Sequence, residues 1–194
     1  MAATPSTMLP LGTKAPAFEL PIVTGGKLNL YSYTKFSKGV VIAFICNHCP
    51  YVKHLNHRLV EVSNTYINKG IPFIAISSND ALAYPEDGPE AMKEHAKAEG
   101  YSFPYLYDED QKVAKAFQAA CTPDFYFFDR QMTLLYRGQF DSTRPKMDTP
   151  ATGEDLVRAI DAYLSNTQIA QEQVPSIGCN IKWKPGNEPD YFLL

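Results

Sequence analysis

Residues 40–45, Val-Val-Ile-Ala-Phe-Ile, form an unbroken apolar run that stops at Cys46-Asn47-His48-Cys49-Pro50. The run is far short of the roughly 20 residues that cross a bilayer. It suits a strand buried on both faces, as in the middle of a parallel sheet. From Val52 the apolar positions fall at Val52, Leu55, Leu59, Val62 and Tyr66. Those steps of three and four predict one face of a helix over 50–68, stopped by Gly70. Residues 71–77 predict the next buried strand, and strand–helix–strand in that order predicts a parallel pair with a right-handed crossover.

The rest of the chain is patterned around that unit. Residues 1–11 read as a loose lead-in, and residues 18–23 and 27–30 flank Gly25-Gly26 as an N-terminal β-hairpin. Residues 31–37 predict a short turn or helix. Residues 78–88 are a polar loop at the carboxyl end of a strand, the usual binding side of an open α/β sheet. Pro89 opens a helix closed by Gly100. A short strand over 103–107 and a helix over 110–120 with Val113, Ala114 and Phe117 inward come next. Strands over 124–128 and 133–137 turn at Asp129-Arg130-Gln131, and a polar loop spans 141–150. Thr152 is placed to cap a helix carrying Leu156, Ile160 and Tyr163, with Asp155 at its third position. From Gln168 onward no period is visible. The pattern predicts one α/β domain over residues 1–194, with a core of about 12–165 and an irregular C-terminal extension over 166–194.

Composition narrows the function classes. The 194 residues are 45% hydrophobic and 20% charged, with a net charge of −3, an ordinary globule without the basic footprint of a nucleic-acid binder. No membrane span and no secretory leader is recognisable, so the expected setting is the cytoplasm. Four cysteines, two of them in Cys-x-x-Cys, do not resemble a secreted disulfide scaffold at this length.

The chemistry is expected where the central strand meets the helix. Backbone N–H groups of a first helical turn are unpaired and carry partial positive charge. A thiolate there is stabilised, with a pKa falling from about 8.5 into a range of roughly 3.5–7.5. Cys46 is therefore the expected nucleophile. Cys49, expected inside the helix, deeper and less acidic, is the resolving thiol. His48 beside them is the expected tuner, since an imidazolium favours a nearby thiolate; the plainer reading makes it a surface residue in an exposed turn.

These residues carry a resemblance. Cys46-x-x-Cys49 after a buried strand, Gly12-Thr-Lys-Ala-Pro16-Ala-Phe18-Glu-Leu20 near the start, and Cys121-Thr122-Pro123-Asp124 before an aromatic strand together resemble the redoxin (AhpC/TSA-like) branch of the thioredoxin superfamily. Cys46-Asn-His-Cys49-Pro50-Tyr51-Val52, with Ser176-Ile-Gly-Cys179-Asn-Ile-Lys-Trp183-Lys, is similar to a bacterial redoxin subgroup. The resemblance spans about residues 10 to 185. It implies a thioredoxin-like fold, with a central mixed β-sheet flanked by helices, the hairpin at one end and the tail at the other. It also implies that Thr122 and Pro123 form a cis-proline loop facing the disulfide, with the Thr122 backbone free to pair with a bound peptide strand. The plainer alternative is a trans proline opening strand 124–128. Two departures stand out: Ile45 replaces the usual tryptophan, and Val40 stands where thioredoxin keeps a buried aspartate that manages the second thiol's proton.

Other groups compete for attention. Cys46 and Cys49 with His54 and His57 supply four soft donors, the count zinc wants, but both histidines lie too far along the helix to fold back on Cys46. No metal and no cofactor is expected. Cys121 and Cys179 are candidate additional redox thiols; a Cys121–Cys179 bridge and a tail thiol resolving Cys46 both stay open. Asp80, Asp108 and Arg137 read as solvated, as do His54 and His57. Trp183 reads as a pin for the tail, with Lys182 and Lys184 outward. The expected function is thiol–disulfide oxidoreductase, acting on a protein or small-molecule disulfide or thiol with a thiol electron donor. The alternative is a thiol peroxidase. Peroxiredoxins need a threonine three residues before the peroxidatic cysteine, and here Ala43 holds that place. A metal-binding or non-catalytic module is the third reading.

Overall fold

The computed structural model describes residues 3–193. A short strand β1 (Ala3–Pro5) precedes the hairpin β2 (Glu19–Pro21) and β3 (Lys27–Asn29), and Asn29 caps a single-turn helix α1 (Leu30–Tyr33). The central unit is β4 (Gly39–Phe44), α2 (Pro50–Ile67) and β5 (Phe73–Ser77). Then come α3 (Pro89–Glu99), β6 (Tyr105–Tyr107), α4 (Lys112–Ala116), the two-residue β7 (Cys121–Thr122), the hairpin β8 (Asp124–Asp129) and β9 (Leu134–Gly138), α5 (Glu154–Leu164) and β10 (Ile177–Asn180).

Five strands form the central sheet in the order β6-β5-β4-β8-β9. β4 pairs with β5, and β5 with β6, in parallel; β8 joins β4 and β9 antiparallel. The sheet is thus mixed, and the fold is thioredoxin-like. Every residue of β4 is buried, because its alternating side chains enter two separate cores. Val40, Ile42 and Phe44 pack with Leu20 and Leu28 of the hairpin, Val113 and Ala114 of α4, and Phe117. Val41 and Ala43 pack with Val52, Leu55 and Leu59 of α2, Met92 of α3, and Ile160 of α5. Each such aliphatic side chain contributes about 1.5–3 kcal/mol on burial, so β4 and the loop leaving it are held from both faces.

Several elements differ from the sequence reading. The helix expected over 110–120 runs only from Lys112 to Ala116; the chain then turns through Gln118 at φ 51°, with Val113, Ala114 and Phe117 inward as expected. α5 is capped by Gly153 at φ 69° rather than by Thr152, and the Asp141 carboxylate accepts the Thr152 and Gly153 N–H groups at 2.7 Å each. The lead-in and the tail are not loose. β10 is the middle strand of a second sheet, β1-β10-β7, antiparallel on both sides. Asp80, Asp108 and Arg137 are buried, not solvated. Arg137 pairs with Asp124 at 3.2 Å, and both side chains are fully enclosed. Lys182 turns inward as well: its Nζ donates to the Asn180 carbonyl at 2.9 Å.

Candidate active site

β4 delivers the chain to Cys46, and Cys49 is the N-cap residue of α2, with Pro50 at the first helical position. This corrects the expectation that Cys49 lies within the helix and that Cys46 sits at its tip. Both thiols are buried, Cys46 at 1% and Cys49 at 0% exposure. Both meet the segment before β8 at Thr122. The Thr122–Pro123 peptide is cis, so the trans alternative is set aside. Thr122 touches both sulfurs: its Oγ1 lies 3.4 Å from Cys46 Sγ, and its carbonyl accepts from the Cys49 thiol at 3.1 Å.

The turn between the cysteines is organised by a residue that no local pattern marks. Asp87, in a 3₁₀ turn over Pro85–Asp87, is wholly buried. Its Oδ1 accepts the Asn47 N–H at 2.8 Å and the His48 N–H at 3.4 Å. Its Oδ2 takes Asn79 Nδ2 at 2.7 Å and pairs with His48 Nδ1 at 2.5 Å. The imidazole also lies 4.0 Å from Cys46 Sγ and stacks on Tyr84, with ring centres 5.4 Å apart. Asn79 in turn accepts the Lys182 N–H at 2.9 Å, which ties the C-terminal segment to this network.

The electrostatics follow from these contacts. The hydrogen bond to Asp87 raises the His48 pKa above the ordinary imidazole value, against the opposing effect of burial. Burial pushes the Asp87 carboxyl up, but the hydrogen bonds from His48 and Asn79 outweigh it and leave the pKa lowered. Both shifts favour the imidazolium–carboxylate form of the His48–Asp87 pair beside Cys46. The thiols give up their protons as a coupled set. Cys49 is drawn below the ordinary thiol value by hydrogen bonds from the Cys179 and Cys46 thiols, helped by the Val52 N–H of the first helical turn. Cys46 is pushed up by sharing its proton with Cys49, by burial and by the Asp87 carboxylate. Negative charge is thus favoured at Cys49, chiefly by the neighbouring thiols and further by the helix start, and not at Cys46 as the sequence suggested.

The remaining candidates are dispersed differently. Cys179 lies opposite Thr122 in the β7–β10 ladder, so the Thr122 backbone, expected to be free for a bound strand, is paired with the chain's own β10. Cys121 lies opposite Asn180. Neighbouring residues of a strand point to opposite faces, so Cys121 and Cys179 diverge and a bridge between them is not favoured. All four cysteines are free. His54 bonds Thr143 at 2.8 Å, and His57 lies exposed beside Glu61, so neither completes a metal set with the cysteines. Cys46 Sγ, His48 Nδ1 and an Asp87 oxygen do lie within 4.8 Å of one another. This three-donor set is one short of a structural zinc site.

Comparison with known proteins bears on the family and the fold. Residues 11–137 match the AhpC/TSA family. The chain belongs to that family. Among solved structures, this AhpC/TSA chain is 54% identical to an uncharacterized conserved protein from Geobacillus kaustophilus, over 96% of this chain and 98% of that one, with a TM-score of 0.92. It is 46% identical to a hypothetical protein from Sinorhizobium meliloti, over 94% of this chain and all of the other (100%), also at 0.92. The thioredoxin domain of a thiol-disulfide oxidoreductase from Bacteroides vulgatus, at 16% identity over 80% of this chain and 99% of that domain, has a TM-score of 0.62 and shares the fold. No curated protein matches the chain. Among the described residues, no helix is long and apolar enough to cross a membrane.

Sequence reasoning missed Asp87, Asn79 and Tyr84, all within the stretch read as a polar loop. Asp87 is 39 residues from His48. The only signal pointing to it was that a polar loop at the carboxyl end of β5 lies on the side where open α/β sheets bind.

Proposed function

We propose that this protein is a thiol–disulfide oxidoreductase that cycles Cys46 and Cys49 between dithiol and disulfide. The observation that carries the reading is the approach of both sulfurs to Thr122, at 3.4 and 3.1 Å, beneath the cis-proline loop and beside the His48–Asp87 pair. Cys46 is the attacking sulfur, because it adjoins the partly exposed His48 whereas Cys49 faces Thr122 and the buried Cys179. With one proton shared by the two sulfurs, the form that reacts holds it on Cys49, where it bonds the Thr122 carbonyl, and the His48 imidazolium favours the thiolate on Cys46. Attack on a substrate disulfide forms a mixed disulfide on Cys46 and releases one substrate thiolate. Cys49 then gives its proton to the released thiolate and attacks Cys46 Sγ, closing the Cys46–Cys49 bond and releasing the second substrate thiolate. A thiol donor returns two electrons to reopen it. Substrate and donor are a protein or small-molecule disulfide and thiol, and the proposed setting is the cytoplasm.

Membership of the AhpC/TSA family favours one further reading, a thiol peroxidase. Against it stands Ala43 in the place of the threonine that orients peroxide in such enzymes. Counting free thiols before and after mild oxidation, and then supplying hydrogen peroxide, separates the two. Loss of two thiols at Cys46 and Cys49 with slow peroxide consumption is the expected result. Fast peroxide turnover favours the peroxidase, and four thiols that survive oxidation refute both.

A further inference from the structure

The tail brings a third sulfur to the pair. β10 is pinned between β1 and β7, and its approach to β7 is unusually close: a Cβ on Gly178 would lie 1.9 Å from the Thr122 carbonyl oxygen. Only glycine permits that approach. The next residue, Cys179, is thereby placed opposite Thr122, whose carbonyl holds the Cys49 thiol. Cys49 and Cys179 are both brought against Thr122, and hydrogen bonding from the Cys46 and Cys179 thiols lowers the Cys49 pKa. Cys46, Cys49 and Cys179 share one buried cluster, and Cys179 is only 2% exposed. Thiol–disulfide exchange needs an attacking sulfur, a central sulfur and a leaving sulfur, and Cys49, held on the Thr122 carbonyl between the Cys-x-x-Cys turn and β10, is the sulfur placed for the central position.

We infer that Cys179 is a third redox thiol, held by β10 so that the disulfide closed at Cys46–Cys49 can pass inward to become Cys49–Cys179. This rests on the function proposed above. The Cys179 sulfur attacks Cys49 Sγ; the Cys49–Cys179 bond forms, the Cys46–Cys49 bond breaks, and Cys46 leaves as a thiolate that takes up the proton Cys179 gives up. Two electrons stay within the three sulfurs, so no further oxidant or reductant is required. The consequence is a protein that stores an oxidising equivalent in its interior while Cys46 is again a free thiol. Cys121 has no part in this, since its thiol faces the Pro123 and Ser176 carbonyls at 3.7 and 4.0 Å.

The test uses the full chain with Cys46→Ser, oxidised with stoichiometric diamide and mapped by mass spectrometry of non-reduced peptides. Two thiols are expected to disappear, with a Cys49–Cys179 linked peptide that is absent from Cys46→Ser/Cys179→Ser. A second measurement needs no change at Cys46: oxidised wild-type protein is expected to be alkylated at Cys46, and oxidised Cys179→Ser to be protected there. If Cys46→Ser yields only Cys49 capped by an external thiol, and oxidised wild-type Cys46 resists alkylation, the inference is overturned while the Cys46–Cys49 pair stands. If Cys179→Ser forms no Cys46–Cys49 disulfide either, the proposed function falls with it.

Discussion

Replacing Asp87 with asparagine keeps the shape of the side chain and removes its charge. In the native protein that carboxylate, with no solvent exposure, receives two backbone N–H groups of the Cys-x-x-Cys turn, the Asn79 amide and the His48 ring. A hydrogen bond to a charged group contributes about 1.5–3 kcal/mol net. The substituted amide would also aim its own N–H at a site built for donors, so a loss in that range is the least expected. For a chain of this size the loss lowers Tm by roughly 3–12 °C. The pH dependence gives the sharper check. The His48 pKa is raised, so its share of stability is complete below the unfolded imidazole value of about 6.5 and is lost as pH rises through the native value. The Asp87 pKa is lowered, so its share is present above about 3.9 and is lost as pH falls through the native value. The gap between wild type and Asp87→Asn should be widest from about pH 4 to 6.5 and narrower in alkali, with a residue left by the Asn47 and Asn79 contacts. Urea unfolding across that range, with NMR titration of the His48 ring, measures both quantities. An imidazole that titrates at the same pH in the two proteins, or a gap constant into alkali, refutes the ion pair.

Three further outcomes follow from the geometry. His48→Ala removes the imidazolium 4.0 Å from Cys46 Sγ and should make the Cys46–Cys49 disulfide less oxidising, by about 30 mV for each 1.4 kcal/mol of lost thiolate stabilisation; equilibration with a glutathione buffer measures it, and an unchanged potential removes His48 from the tuning role. Gly178→Ala sets a methyl 1.9 Å from a backbone oxygen, so β10 must withdraw from β7 at a cost of about 1–3 kcal/mol or more; a wild-type melting curve would contradict that close approach. Arg137→Ala strands the enclosed Asp124 carboxylate and should cost about 3–5 kcal/mol near neutral pH. Burial raises the Asp124 pKa while Arg137 opposes that rise, so without the arginine the cost should shrink as pH falls and Asp124 protonates; urea titrations near pH 8 and pH 5 that show equal losses would argue against an ionised Asp124.

What the sequence determined by itself is local and periodic. The apolar run ending at Cys46, the helical face from Val52 to Tyr66 and the turns at Gly25-Gly26 and Asp129 sit where the pattern placed them, because alternation and three-four spacing record which side of an element is dry. The tertiary structure alone decided which polar groups share the dry interior. Asp87 reaches His48, Arg137 reaches Asp124 and Cys179 comes opposite Thr122 across gaps that no period spans, since a buried charge is tolerated only with partners, which here come from other elements. The electrostatic role of the helix start moved with them: the N-cap fell on Cys49, and the placement of that boundary decided which sulfur receives the unpaired N–H groups.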